Sequence, residues 1–166
     1  MSSVWVVLLC FLIIFMWLSD SWAACTDPAQ PNVNWRRCYH DGRNLRNADL
    51  RDAMLRDATF QRSDMSGSDL SGADGYRAKF VSAILIGAQF NNTRLIEADF
   101  TRANLNGASF EGADLRFAKL VNTDLREVNL TNARLNRSDL SNARLDGAIW
   151  IDGIKICAQG SIGQCN

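Results

Sequence analysis

The sequence predicts an all-β solenoid, a quadrilateral β-helix, and three observations predict it. From Leu45 to Trp150 every fifth residue is Leu, Phe, Met or Trp at 21 of 22 positions, Gly75 being the exception. From Ala48 to Ala148 the residue two places earlier is small: 15 Ala, 3 Ser, 2 Thr and Val128. No insertion or deletion breaks this register over more than 100 residues. A period of five suits neither a helix, which repeats every ~3.6 residues, nor a flat strand, which repeats every ~2.

The geometry follows from asking which backbone turns residues i−2 and i inward and the other three outward. Residues i−2, i−1 and i alternate as an extended strand does, and the next two turn a corner. Each five residues form one side of a coil. With four sides to a turn, coils stack 20 residues apart at about 4.8 Å, so the repeat makes about five and a half coils and stands roughly 26 Å tall. Every twentieth residue then falls in one column. Phe60, Phe80, Phe100, Leu120 and Leu140 form one interior column, and Leu50, Leu70, Phe90, Phe110, Leu130 and Trp150 another. Outside, Lys79, Asp99, Lys119, Asp139 and Asp74, Arg94, Asp114, Arg134 alternate in sign, as cross-strand neighbours should.

The elements on either side of the repeat are read from the N-terminus. Val4 to Leu18 is an unbroken apolar run of 15 residues, followed by Ser19-Asp20-Ser21 and Ala23-Ala24. That is the length of a signal-peptide core and short of the ~20 residues a bilayer span needs. Residues 1–23 are read as a secretory signal cleaved near Ala23 or Ala24, which places the mature chain in a periplasm or outside the cell. The leading segment lacks Lys and Arg, and Arg36 and Arg37 follow the run. The alternative is therefore an anchor in the inner membrane through residues 4–18 with a cytoplasmic C-terminus. A lipidated Cys25 is disfavoured by bulky Trp22 three positions before it. Cleavage removes Cys10 and leaves Cys25, Cys38, Cys157 and Cys165, an even number that in an exported chain suggests two disulfides with three pairings open.

With Ala98-Asp99-Phe100, Ala103-Asn104-Leu105 and Ala113-Asp114-Leu115 as type units, the chain resembles the pentapeptide-repeat family, whose consensus is A(D/N)LXX. The resemblance covers about two-thirds of the chain. It implies that family's right-handed quadrilateral β-helix and says little of function, since one fold hosts many. The flanks resemble those of exported bacterial members with a cysteine-bearing segment at each end. The expected organisation is a signal at 1–23, an N-terminal cap at 24–42, the β-helix at 43–152 and a C-terminal cap at 153–166. Solenoid ends roughly 26 Å apart cannot share a bridge that needs Cα atoms within about 7 Å. The pairing expected in a monomer is thus Cys25–Cys38, holding a cap with Trp35, and Cys157–Cys165, holding a segment where Trp150, Ile151, Ile154 and Ile156 close the last coil.

Catalysis has little to stand on. His40, the single histidine, is read as a surface or capping residue with no serine or second histidine beside it. The aspartates sit at outward positions opposite Lys or Arg and read as solvated ladders rather than an acid/base pair. Cysteine spacings of 13 and 8 do not suit a metal site. No enzyme, no cofactor, no metal and no small-molecule substrate are expected. Some cytoplasmic members of the family protect DNA gyrase by resembling duplex DNA. A mimic of this length would need on the order of 15 excess negative charges, at one per ~1.7 Å. Residues 43–152 hold 15 Lys+Arg and 15 Asp+Glu, so neither mimicry nor nucleic-acid binding is expected.

Interaction with a protein remains. Tyr76, Val81, Ile84, Ile86, Ile96, Phe117 and Val121 place apolar groups at outward positions and form a candidate partner patch, although β-branched residues also simply suit exposed strands. Gly75 marks a local bulge or a slot filled by Tyr76. The sequons at Asn91, Asn129 and Asn136 are by-products of a repeat rich in Asn, Ser and Thr. The C-terminal hydrophobics suit a cap or a homodimer contact equally well. The sequence thus reads as an exported, non-enzymatic structural or protein-binding rod, membrane-associated only if the first segment stays uncleaved. The alternative is an anchored cytoplasmic protein that inhibits or protects a nucleic-acid enzyme such as gyrase.

Overall fold

The computed structural model describes residues 25–166. The signal at 1–23, its apolar run Val4–Leu18 and Cys10 lie outside the described residues. The chain from Asn34 to Ile149 is a stack of parallel bridges, each joining a residue to the one 20 positions on, from Asn34↔Met54 to Asn129↔Ile149. Four five-residue sides therefore make each coil. Side 1 carries Asp64, Ile84, Asn104 and Asp124; side 2 carries Asp69, Gln89, Ser109 and Asn129; side 3 carries Asp74, Arg94 and Asp114; side 4 carries Lys79, Asp99 and Lys119.

Hydrogen-bond accounting explains why five residues suffice. Around Phe100, the N–H groups of Phe100, Arg102 and Asn104 donate to the carbonyls of Lys119, Val121 and Ala83 at 2.8, 2.9 and 3.0 Å, all on neighbouring coils. Ala103 closes the turn onto the Phe100 carbonyl at 2.8 Å. The remaining N–H, that of Thr101, donates to the Asp99 side chain at 2.9 Å. The same local bond joins Arg46 to Asn44, Ser71 to Asp69, Arg116 to Asp114 and Thr131 to Asn129. The Asp or Asn before each core residue thus satisfies the donor that coil stacking leaves over.

The second turn residue adopts a positive φ throughout, in Gly, Asn and Asp but also in Arg77, Glu97 and Phe117. The left-handed region costs a non-glycine residue roughly 1–2 kcal/mol, which neighbouring coils offset by pairing with that residue's own N–H. The interior is apolar and columnar. Phe60, Phe80 and Phe100 stack at 5.2 and 4.8 Å, Phe90 and Phe110 at 4.8 Å, and the two columns meet edge to face at 5.7–5.8 Å. Buried hydroxyls occupy the small inward position because a carbonyl is within reach: Ser63 donates to Phe60 at 2.6 Å and Thr123 to Leu120 at 2.5 Å.

Several expectations require correction. The coil register begins upstream of residue 43: Val33, Trp35, Cys38 and His40 fill inward positions, so much of the expected cap at 24–42 is part of the coil. Their residue types hid this, since His and Cys stand where the repeat has Leu and Ala. Gly75 makes no bulge, because Met54↔Asp74 and Asp74↔Arg94 continue across it. Nor does Tyr76 fill the slot; a Leu95 methyl leans in, 3.0 Å from where a Gly75 Cβ would stand.

At the C-terminus the chain reverses beneath the last coil, with antiparallel bridges Ile149↔Ile156 and Arg144↔Ile162. This reversal turns Cys157 and Ser161 inward. Ile154 and Ile156 consequently point out, 85% and 66% exposed, rather than closing the coil, whereas Trp150 packs against the core.

Candidate functional site

Each end of the rod carries one disulfide, Cys25–Cys38 and Cys157–Cys165, with Cα atoms 5.4 and 4.9 Å apart. Cys38 and Cys157 are buried core residues, so the bridges tie the terminal segments to the solenoid. Among the described residues no group of three or more His, Cys, Asp or Glu could hold a metal ion, and no helix is long and apolar enough to cross a membrane.

His40 is not a surface residue. It is fully buried, its ring 4.0 Å from Trp35 and 5.4 Å from Phe60, atop the phenylalanine column. Nδ1 lies 3.0 Å from the Arg43 guanidinium, which can only donate, so Nε2 carries the ring proton. Nε2 and the nearby Trp35 indole nitrogen are both buried without a partner. Burial, reinforced by Arg43, pulls the His40 pKa down to about 4.

The seven apolar surface residues fall on three corners and one side. Ile84 lies on side 1, Val81 and Val121 at the corner leading into it, Ile86 at the corner leading out of it, and Tyr76, Ile96 and Phe117 at the corner between sides 3 and 4. Ile84, Ile86 and Phe117 are exposed, whereas Tyr76, Val81, Ile96 and Val121 are half-buried. Tyr76 sits among the guanidiniums of Arg56, Arg77 and Arg94, 5.2–5.8 Å from its ring centre, with its hydroxyl 3.3 Å from Glu97. Asp74 holds two of those arginines, Arg56 at 2.5 Å and Arg94 at 3.5 Å.

Of the two expected ladders, Asp74 and Asp114 form cross-coil ion pairs with Arg94 and Arg134 at 3.5 and 3.9 Å. Asp99 and Asp139 turn instead to Thr101 and Ser141 in their own turns. Hydrogen bonds from Arg116 and Arg126 hold the Asp114 and Asp124 carboxyls below their ordinary range. Lower on the corner between sides 3 and 4, a groove of about 230 Å³ is lined by Arg77, Lys79, Glu97, Asp99, Phe117 and Lys119. Of these, Phe117 stood out in the sequence as part of the apolar patch, and Lys79, Asp99 and Lys119 as a charge ladder. Arg77 and Glu97 were legible in the column 77–97–117, which lies beside 79–99–119.

The sequence profile described as pentapeptide repeats matches in 8 copies, over residues 41–74, 76–112 and 108–147. Among solved structures the chain is similar to the pentapeptide repeat protein Rfr23 of the cyanobacterium Cyanothece 51142, at 25% identity and TM-score 0.45, over 70% of this chain and 90% of that one. It is similar to AT2G44920 from the Arabidopsis thaliana thylakoid lumen at 28% identity and TM-score 0.43, over 61% and 82%. It is also similar to full-length QnrB1, a plasmid-mediated fluoroquinolone resistance protein, at 16% identity and TM-score 0.45, over 72% and 66%. Comparison with curated proteins finds no relative.

Proposed function

We propose, from the premise that this chain belongs to the pentapeptide-repeat family, that it is an exported, non-enzymatic rod acting as a structural or protein-binding element of the cell envelope. Its solenoid is the right-handed form that the family resemblance implies. The observation that carries this reading is the disulfide at each end, since a reducing cytosol keeps such thiols apart and an oxidising compartment joins them. The apolar stretch Val4–Leu18, with Ala23 and Ala24 after it, supplies the export signal.

Intact mass spectrometry of natively expressed protein, with thiol alkylation before and after reduction, tests the proposal. The expected mass lacks residues 1–23 or 1–24, and four cysteines react only after reduction. A full-length mass with free thiols overturns it in favour of the anchored cytoplasmic alternative.

A further inference from the structure

We infer that the groove beside Phe117 is a binding subsite for an acidic sugar chain. Phe117 holds φ at 60° and is 45% exposed. That φ is common to every coil at this corner, but the other coils place Asp57, Arg77, Glu97 and Arg137 there, so what sets Phe117 apart is an aromatic ring where the repeat elsewhere puts a charge. The ring adds nothing to the core and stands exposed on the surface, where an aromatic face can meet a ligand. Arg137 sits 5.5 Å over it.

The groove supplies the rest of the chemistry. Its volume, about 230 Å³, is below the ~300–1,000 Å³ of drug-sized pockets and suits one ring of a longer chain. Phe117 offers a flat apolar surface to the C–H face of a sugar, and Glu97 and Asp99 can accept from its hydroxyls. Lys79, Lys119 and Arg137 make no ion pair among the described residues and are free to meet a sugar carboxylate or sulfate. Glu97 and Asp99 find donors in the hydroxyls of a sugar chain, which the backbone of single-stranded DNA does not offer along its length. Side 2 and the corner after it carry Asp49, Asp52, Asp69, Glu111 and Asp152 against Arg51, so that part of the surface does not attract an anion. The inference does not depend on export, so its failure leaves the thiol measurement untouched.

The test is calorimetric titration of the disulfide-bonded chain with a short oligouronate, the neutral oligosaccharide of the same linkage, and a single-stranded oligonucleotide of equal charge. The oligouronate is expected to bind at least about tenfold tighter than either control, a difference readily resolved. Phe117→Ala and the double variant Lys79→Gln/Lys119→Gln should each weaken it by about tenfold. Phe117→Tyr should retain binding, and Asp49→Asn on side 2 should leave it unchanged. Absence of oligouronate binding, equal affinity for the oligonucleotide, or full affinity in folded Phe117→Ala would overturn the inference.

Discussion

A pentapeptide coil gives four of every five backbone N–H groups a backbone acceptor, and the fate of the fifth decides which residue stands before each core position. Asp or Asn there accepts it, as Asp99 does for Thr101 at 2.9 Å. Where that residue is apolar or basic, as at Ile84, Lys79 and Lys119, the N–H two places on belongs to Ile86, Val81 or Val121 and has no side-chain acceptor. Asp99→Asn keeps the acceptor and should leave the urea midpoint nearly unchanged, whereas Asp99→Ala should cost about 1 kcal/mol. In the opposite direction, Ile84→Asn should stabilise by about 0.5–1 kcal/mol by giving Ile86 a partner. A loss of stability in Ile84→Asn would show that packing at Ile84 outweighs the new bond. Gly75→Ala needs only the Leu95 methyl, 3.0 Å away, to rotate. Gly75→Leu would overpack the column at about 1–3 kcal/mol.

At the scale of the column, one residue couples core packing to pH. His40 continues the series of Phe60, Phe80 and Phe100, and its pKa falls from 6.5 unfolded to about 4 folded. Between those values the unfolded chain binds the extra proton. The neutral ring's stability is therefore complete above the unfolded pKa and is lost as pH falls from 6.5 toward 4, a loss on the order of 3 kcal/mol. His40→Phe should flatten the stability profile across that window, read from denaturation midpoints at closely spaced pH values; an unchanged slope would assign the dependence to another group. The period of five, the four sides and the interior phenylalanines were legible because each is set by local spacing alone. His40 was misjudged, and Cys38, though correctly paired with Cys25, was placed outside the coil, because their types break the repeat while their positions keep it. The aspartates read only as a charge pattern, since their backbone bond depends on turn geometry that spacing does not reveal. The groove at Phe117 stayed hidden because its wall is assembled from three coils, where only the columns bring its residues together.

At the scale of the molecule, a solenoid is held by nearest-neighbour contacts, so its stability is distributed rather than global. Acid should act along the whole rod. Asp49, Asp64, Asp114, Asp124 and Asp139 all titrate below their ordinary range, each chiefly through a side-chain hydrogen bond. Their contribution is present above about pH 4 and is lost as pH falls further. Loss of a cap should act locally. The C-terminal reversal pairs only with sides 1 and 2 of the last coil, through Leu145 to Ser161 and Gly147 to Cys157, both at 2.9 Å. Leu135 and Leu140 on the other two sides stay half-buried. Replacing Cys157 and Cys165 together by Ser removes a constraint of about 2–3 kcal/mol. Native-state hydrogen exchange should then accelerate in residues 141–166, while amides between Phe60 and Phe110 keep their protection. Uniform acceleration along the chain would instead mean that the C-terminal bridge governs one cooperative unit spanning the whole rod.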